Sequence, residues 1–414
     1  MSRLPDVMTT RGRSLLAAGI ALVACGVLLG YVDLTRLGVL LVALPALSAL
    51  LTRRHPLDLI VERRIVPSRI QIDEVADVTL TIENGSSRTS PLMLAEEQVD
   101  YALGDRPRFV LPRMSRGEAR TLHYRVRSHA RGRHRLGPLA VRVKDPFELT
   151  TRATTLSGGD EVIVLPRAVP LGGGPPASGT GGEGEVPHMA ALHGEDDIAI
   201  REFRDGDDLR RIHWPSTART GEMMVRQEDR PARRRAIVLL DTSSDVHAGT
   251  GTAGSFEWAV TAAASVCAHL IEHGYAVHLV TPDTAAVSSE PVTLVTALDV
   301  LAVMAPTDPD RFDEALRASA QLSDSGGIVV AIIGELDESR AFGLLSSRTA
   351  GATGMALIID RDSYRHQPSG ATRTRPDILA MDLLAAGWTA TPVRSGTSVA
   401  EAWQQLRTGA GVRR

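Results

Sequence analysis

The chain has 414 residues, room for two or three domains, and a formal net charge of -3. Hydrophobic residues at 43% and charged residues at 23% exclude a wholly disordered or collagen-like chain. Near-neutral charge and 4% aromatics leave no basis for a base-stacking, nucleic-acid-binding surface, so no nucleic-acid partner is expected. The two cysteines, Cys25 and Cys267, lie far apart in apolar or helical surroundings. That spacing builds neither a disulfide framework nor a Cys-type zinc site, and it suits a reducing compartment.

Residues 15–29 and 37–51 are two uncharged apolar runs separated by a short break, Tyr31-Val32-Asp33-Leu34-Thr35-Arg36. Each run approaches the ~20 residues needed to span a bilayer once its neighbours are added, with Arg36 snorkelling to the interface. The expectation is a cytoplasmic tail over 1–13 and a two-helix transmembrane hairpin over 14–52. Arg3, Arg11 and Arg13 precede the hairpin, and Arg53, Arg54, Arg63 and Arg64 follow it. By the positive-inside rule both ends face the cytoplasm, which makes a multi-pass plasma-membrane protein with a cytoplasmic soluble part. A second apolar run argues against a cleaved signal peptide.

Residues 57–150 alternate apolar and polar side chains at 70–72, 78–82, 122–126 and 139–143, with a turn signal at Asn84-Gly85-Ser86-Ser87. Short strands with turn punctuation predict an all-β, immunoglobulin-like sandwich. The basic run Arg131-Gly132-Arg133-His134-Arg135 reads either as a solvated turn or as a contact for anionic headgroups. Residues 151–198 hold one more strand, 160–166, and a Gly-rich linker beginning at Gly172-Gly173-Gly174. His188 and His193 are read as solvated linker residues.

From 231 to 410 the period changes. Apolar runs at 236–240, 276–280, 328–333, 355–359 and 389–393 alternate with helical patterns near 255–273, 293–304, 311–321, 338–347 and 398–407. Fully apolar strands between helices predict a Rossmann-type α/β domain with a parallel sheet covered on both faces. Ligand sites in such sheets lie at the carboxyl ends of strands, where Asp241 stands.

Two stretches carry candidate chemistry. The block over 199–230 concentrates Arg201, Glu202, Arg204, Gly206, Asp207, Asp208, Arg210, His213 and Trp214, followed by Ser216, Ala218 and Arg219. Gly206 with Asp207 and Asp208 suggests a turn into a short helix whose free N–H groups an Asp can cap. Arginines there can grip carboxylates in bidentate fashion. A structural ion-pair network, a partner-docking surface and an acid–base cluster are all open readings. The second stretch is Asp241-Thr242-Ser243-Ser244-Asp245. Oxygen side chains at its first, third and fifth positions, Asp241, Ser243 and Asp245, can converge on a hard cation such as Mg²⁺. The pattern resembles the metal-ion-dependent adhesion site of von Willebrand factor A domains, with Asp245 where that motif has Ser. Such a site also takes a Thr, for which Thr281 and Thr284 are candidates, and a later Asp. After Ile333 the chain instead reads Gly334-Glu335, with Asp337 slightly late. No P-loop, nucleophile elbow or His-Glu-x-x-His motif is present, and Lys144 is the only lysine. No catalytic residue, nucleotide or organic cofactor is therefore expected.

The Arg201-Glu202-Phe203-Arg204-x-Gly206-Asp207-Asp208-x-Arg210-x-Ile212-His213-Trp214 block continues through Ser216-x-Ala218-Arg219-x-Gly221 and Met224-Val225-Arg226. Together with Arg131-Gly132-Arg133-His134-x-x-Gly137-Pro138 and Asp145-Pro146-Phe147, it resembles the bacterial DUF58 family. These are membrane proteins with a von Willebrand factor A-like domain. The resemblance implies a non-enzymatic adaptor working with a MoxR-type AAA+ ATPase, and in some cases a transglutaminase-like membrane protein, in maturation of envelope or other protein complexes. The alternative is an enzyme using the Arg/Asp/His block for phosphate or carbohydrate chemistry.

Overall fold

In a computed structural model, the described residues are 8–53, 57–145, 147–174, 199–202, 212, 214–227, 234–323, 327–348, 352–365 and 375–408. They divide into two compact units, Met1–Arg167 with Leu298–Met304, and Ala168–Ala297 with Ala305–Arg414.

The first unit opens with helices α1 (Thr10–Leu29) and α2 (Val32–Arg53), both long and apolar enough to cross a membrane. Gly30, at φ 72°, ends α1 in a left-handed cap, and the N–H groups of Gly30 and Tyr31 both reach the Gly26 carbonyl. The expected six-residue break is therefore only Gly30-Tyr31. Asp33 sits in the first turn of α2, where the helix dipole favours a carboxylate, and pairs with Arg36 at 3.1 Å. The two helices meet at glycines. A Cβ on Gly26 would lie 2.5 Å from the Thr35 hydroxyl, and one on Gly38 would lie 2.7 Å from the Val23 backbone.

Nine strands follow: β1 (Leu59–Val66), β2 (Arg69–Gln71), β3 (Val75–Asn84), β4 (Met93–Val99), β5 (Arg108–Leu111), β6 (Ala119–Arg127), β7 (Gly132–Lys144), β8 (Thr151–Leu156) and β9 (Asp160–Leu165). They build a sheet β1-β3-β6 and a sheet β2-β9-β7-β4-β5, with β8 on β7. Alternation explains the packing. Ala76, Val78, Leu80 and Ile82 of β3 are all fully buried, while the residues between them face outward. Leu80 and Ile82 share a core with Met93, Ala95, Leu139 and Val141 of the other sheet. An ion pair also joins the sheets. Arg63 Nε donates to Glu97 Oε1 at 2.7 Å, with side chains 2% and 0% exposed. Burial pushes the Glu97 carboxyl above its ordinary range, and the Arg63 guanidinium offsets part of that rise.

The basic run at 131–135 belongs to the start of β7. Arg131 donates to the carbonyls of Leu301 and Met304, Arg133 lies 3.5 Å from Glu161, and His134 Nδ1 lies 3.1 Å from Asp100. These contacts hold the run within its own unit, where the sequence had left a solvated turn or a lipid contact open.

The second unit begins with a two-stranded antiparallel ribbon, β10 (Ala199–Glu202) with β11 (Met224–Gln227), enclosing α3 (Trp214–Thr220). The rest is an α/β region: β12 (Arg235–Leu240), α4 (Ser255–Glu272), β13 (Ala276–Val280), α5 (Leu294–Val303, which passes into the first unit from Leu298), α6 (Phe312–Ser323), β14 (Ile328–Ile333), α7 (Glu338–Ser346), β15 (Thr353–Ile359), α8 (Arg375–Ala385), β16 (Thr389–Val393) and α9 (Val399–Thr408). Its five strands are parallel, in the order β13-β12-β14-β15-β16. Ile237, Leu239, Val329 and Ala331 pack with Phe312 of α6, Leu344 of α7 and Leu383 of α8. The opposite face is covered by α4 and α9. With both faces covered, the strands carry apolar residues at almost every position. Helix α8 was not among the expected elements.

Candidate functional site

The strand order reverses at β12: the chain steps to β13 on one side and to β14 on the other. In open parallel sheets the crevice at such a reversal, beyond the carboxyl ends of the strands, is where ligands bind. Asp241 follows β12 there, its N–H bonded to the Ile332 carbonyl of β14 at 2.9 Å. Gly334, just past β14, packs on the loop so closely that a Cβ would lie 2.3 Å from Val246 Cβ.

Asp241 is 1% exposed. Its Oδ1 accepts hydrogen bonds from the Ser243 N–H at 3.0 Å and the Ser243 hydroxyl at 2.5 Å. Burial raises the pKa of this carboxyl, and the two Ser243 bonds hold back part of the rise. Among the described residues no cation forms an ion pair with it. Arg340 feels the Asp241 charge, but its guanidinium is engaged by Asp313 at 3.1 Å and the Pro309 carbonyl at 2.9 Å. Ser243 is fully buried, whereas Asp245 is exposed.

His247 underpins the loop. Its Nε2 lies 2.9 Å from the Asp241 carbonyl, which can only accept, so Nε2 carries the proton. Nδ1 is then free to accept from the Ser255 hydroxyl at 3.2 Å, while Ser255 Oγ accepts the Ala248 N–H at 2.9 Å. Burial lowers the His247 pKa, in keeping with this neutral ring.

The structure brings in a residue that sequence reasoning missed. Thr307 forms a parallel bridge with Ser243. Its N–H donates to the Thr242 carbonyl at 2.7 Å, its carbonyl accepts the Ser244 N–H at 2.9 Å, and its hydroxyl lies 2.8 Å from that of Thr242. The expected threonines are engaged elsewhere. Thr281 and Thr284 bond to each other at 3.1 Å, and Thr284 also donates to the Leu279 carbonyl. Asp337 caps α7 by accepting the Arg340 N–H, and Glu335 pairs with Arg375 at 3.7 Å. Only a weak signal marked Thr307: it precedes Asp308-Pro309 at the start of a helical turn. Nothing local ties it to a loop some 65 residues earlier.

No cluster of three or more His, Cys, Asp or Glu that could hold a metal occurs among the described residues. A cation at this loop would depend on hydroxyl oxygens beside one or two carboxylates, and Asp241, Ser243, Asp245 and Thr307 are all oxygen donors suited to Mg²⁺. The buried carboxylate of Asp241, which has no ion-pair partner among the described residues, fits that role. A separate cavity of about 300 Å³ lies at the start of α4, between Gly254, Trp258, Tyr364 and Thr397.

Of the other candidate residues, Arg201 and Glu202 lie on β10 opposite Val225 and Met224 of β11. Trp214, Ala218 and Arg219 are exposed on α3, and Ser216 is half-buried. Gly221, at φ 81°, closes this helix with its N–H on the Thr217 carbonyl. Arg204, Gly206, Asp207, Asp208, Arg210 and His213 lie outside the described residues, as do His188 and His193.

Comparisons with known proteins add a family likeness but no activity. Similar solved structures include the CARDB domain of the PF1109 protein from Pyrococcus furiosus, at 17% identity over 26% of this chain and 93% of that one, TM-score 0.20. The alkylpurine DNA glycosylase AlkC of Pseudomonas fluorescens is 14% identical over 32% of this chain and 38% of that one, TM-score 0.19. A β-glucosidase from Listeria innocua is 16% identical over 26% and 16%, TM-score 0.15. At such scores these likenesses carry no argument about function. No curated protein matches the chain. The family model described as "Protein of unknown function DUF58" matches residues 199–332, a stretch that takes in β10, α3, the Asp241 loop and Thr307, so this part of the chain is similar to the DUF58 domain.

Proposed function

We propose that this protein is a membrane-anchored adaptor whose soluble part faces the cytoplasm and whose C-terminal region is a von Willebrand factor A-like binding domain. It works with a MoxR-type AAA+ ATPase in the assembly or maturation of envelope or other protein complexes and carries out no catalysis of its own. One observation carries the reading: Asp241, a buried carboxylate with no ion-pair partner among the described residues, stands at the reversal point of a parallel sheet, hydrogen-bonded to Ser243, which Thr307 bridges. Asp241, Ser243, Asp245 and Thr307 would hold Mg²⁺, which would offer an open coordination position to a carboxylate of a partner protein. Asp245 adds a negative charge and so favours the cation over a bare anionic ligand. The two apolar helices support the anchor.

The test is calorimetric titration of Mg²⁺ into the full chain in detergent, with Asp241→Ala alongside, followed by capture of the ATPase with and without EDTA. Mg²⁺ binding and ATPase capture that both vanish in Asp241→Ala are expected. Wild-type protein that binds no Mg²⁺ refutes the metal site. Capture insensitive to both EDTA and the substitution moves docking away from this loop.

A further inference from the structure

We propose that Phe147 is a wedge that inserts into the headgroup–acyl boundary of the bilayer and seats the β region on the membrane surface. This rests on the membrane-anchored reading. The first observation is that residues 148–150 are tied to the foot of the helical hairpin. Met8 bridges Thr150, the Thr9 N–H donates to the Leu149 carbonyl at 3.0 Å, and the Thr9 hydroxyl donates to the Glu148 carbonyl at 2.6 Å. Arg11 pairs with Glu148 at 2.9 Å. Gly12 touches the loop so closely that a Cβ would lie 2.2 Å from the Leu149 carbonyl oxygen. From the other helix, the Ser48 hydroxyl lies 3.3 Å from that of Thr150.

The second observation is depth. Gly12 precedes Leu15, where the apolar run of α1 begins, by three residues, roughly 4.5 Å of helix rise. Ser48 lies within the apolar run of α2. A loop touching both residues therefore stands at the edge of the hydrocarbon layer.

The third observation is the side chain itself. Phe147 is 65% exposed, although the loop around it is firmly held. Asp145 accepts the N–H groups of Leu149 at 2.8 Å and Thr150 at 3.2 Å. Glu148 is kept at φ 55°, a left-handed conformation costly for a residue with a side chain, which persists because its surroundings over-determine it. A rigid loop that presents an aromatic ring to the outside at this level has lipid as its natural contact. Arg11 and Lys144, at 2.9 and 3.8 Å from Glu148, place basic groups beside the ring at the level where anionic headgroups lie.

Spin labelling of the full chain in nanodiscs of equal parts phosphatidylcholine and phosphatidylglycerol tests this. Cys25 is replaced by Ser, and Cys267 stays unlabelled because it is wholly buried, with its pKa pushed up to about 12 by burial. Nitroxides go on Ile20→Cys in mid-helix, on Tyr101→Cys as a 97% exposed solvent control, and on Phe147→Cys. Accessibility is read with oxygen, which partitions into lipid, and with a nickel chelate, which stays in water. Oxygen should dominate at 20 and 147 and the chelate at 101. Should position 20 also favour the chelate, the membrane reading itself falls. Should position 20 favour oxygen while 147 matches 101, the anchor stands and the wedge is wrong. A second measurement keeps the native ring: with the nitroxide on Lys144→Cys, adding Phe147→Asp should raise chelate access, and unchanged access overturns the proposal.

Discussion

Replacing Glu97 by Ala strands a guanidinium in the interior of the β region. Arg63 Nε lies 2.7 Å from Glu97 Oε1, and Arg63 NH2 lies 3.4 Å from Oε2. Among the described residues the only other carboxylate paired with Arg63 is Asp160 at 4.0 Å, with a half-exposed side chain. Water cannot replace Glu97 easily, because the Arg63 side chain is 2% exposed. Breaking a buried pair by removing one partner costs about 3–5 kcal/mol, since the remaining charge keeps its desolvation penalty. At roughly 2–4 °C per kcal/mol for a unit of this size, Tm should fall by about 6–20 °C. Replacing both partners by apolar residues of similar volume, Arg63→Met with Glu97→Leu, should restore most of that loss, because neither charge is then buried. The assay is calorimetric unfolding of the full chain in detergent for Glu97→Ala, and for Arg63→Met, Glu97→Leu and their double variant read as a cycle. A loss below about 1 kcal/mol in Glu97→Ala would show that Arg63 finds solvent and that its burial does not set the cost. A double variant as unstable as the single one would refute the charge argument in favour of side-chain packing.

Two further outcomes concern the Asp241 loop. Burial holds the folded-state pKa of Asp241 above its unfolded value, so its contribution to stability declines as pH rises from the ordinary carboxylate range through the folded pKa. In EDTA at neutral pH, Asp241→Asn should therefore stabilise the chain by about 1–3 kcal/mol, with the advantage shrinking towards pH 4. Saturating Mg²⁺ should reverse the order by stabilising the wild type alone; a variant less stable than wild type in EDTA would contradict the unpaired-carboxylate argument. Gly334→Ala drives a Cβ into Val246 and should cost about 1–3 kcal/mol while weakening Mg²⁺ binding, and unchanged values in both thermal unfolding and titration would show that the loop yields freely.

Periodicity carried much of the architecture. The alternation at 78–82 places Val78, Leu80 and Ile82 in the core, and the apolar runs at 276–280, 328–333 and 389–393 coincide with β13, β14 and β16. Such patterns are readable because a buried face repeats every two residues and a strand covered on both sides is apolar throughout. Helix α8 escaped notice. Met381 and Asp382 stand between buried Leu379, Ala380 and Leu383 on a short amphipathic segment, and Pro376 with Asp377 was the local signal of its first turn. The break at 31–36 read as a loop because Asp33 and Arg36 interrupt hydrophobicity, yet Asp33 is at home in the first turn of a helix and Arg36 pairs with it at 3.1 Å.

The candidate site divides along the same line. Asp241 and Ser243 were legible because a strand end followed by closely spaced oxygen side chains is a local pattern. Thr307 was not, since its partnership with Thr242 and Ser243 spans about 65 residues and arises only when α6 packs back across the sheet. The same holds for Phe147. In sequence it stands out only within the Asp145-Pro146-Phe147 stretch of the family resemblance, and the contacts that set its depth span 102 to 139 residues. Sequence by itself determined the two apolar helices, the alternating β region and the alternating α/β region, because burial acts on neighbours along one element. Only the tertiary structure decided that Thr242 and Ser243 meet Thr307 and that Glu148, Leu149 and Thr150 meet Thr9, Gly12 and Ser48, because those contacts depend on how separate elements pack.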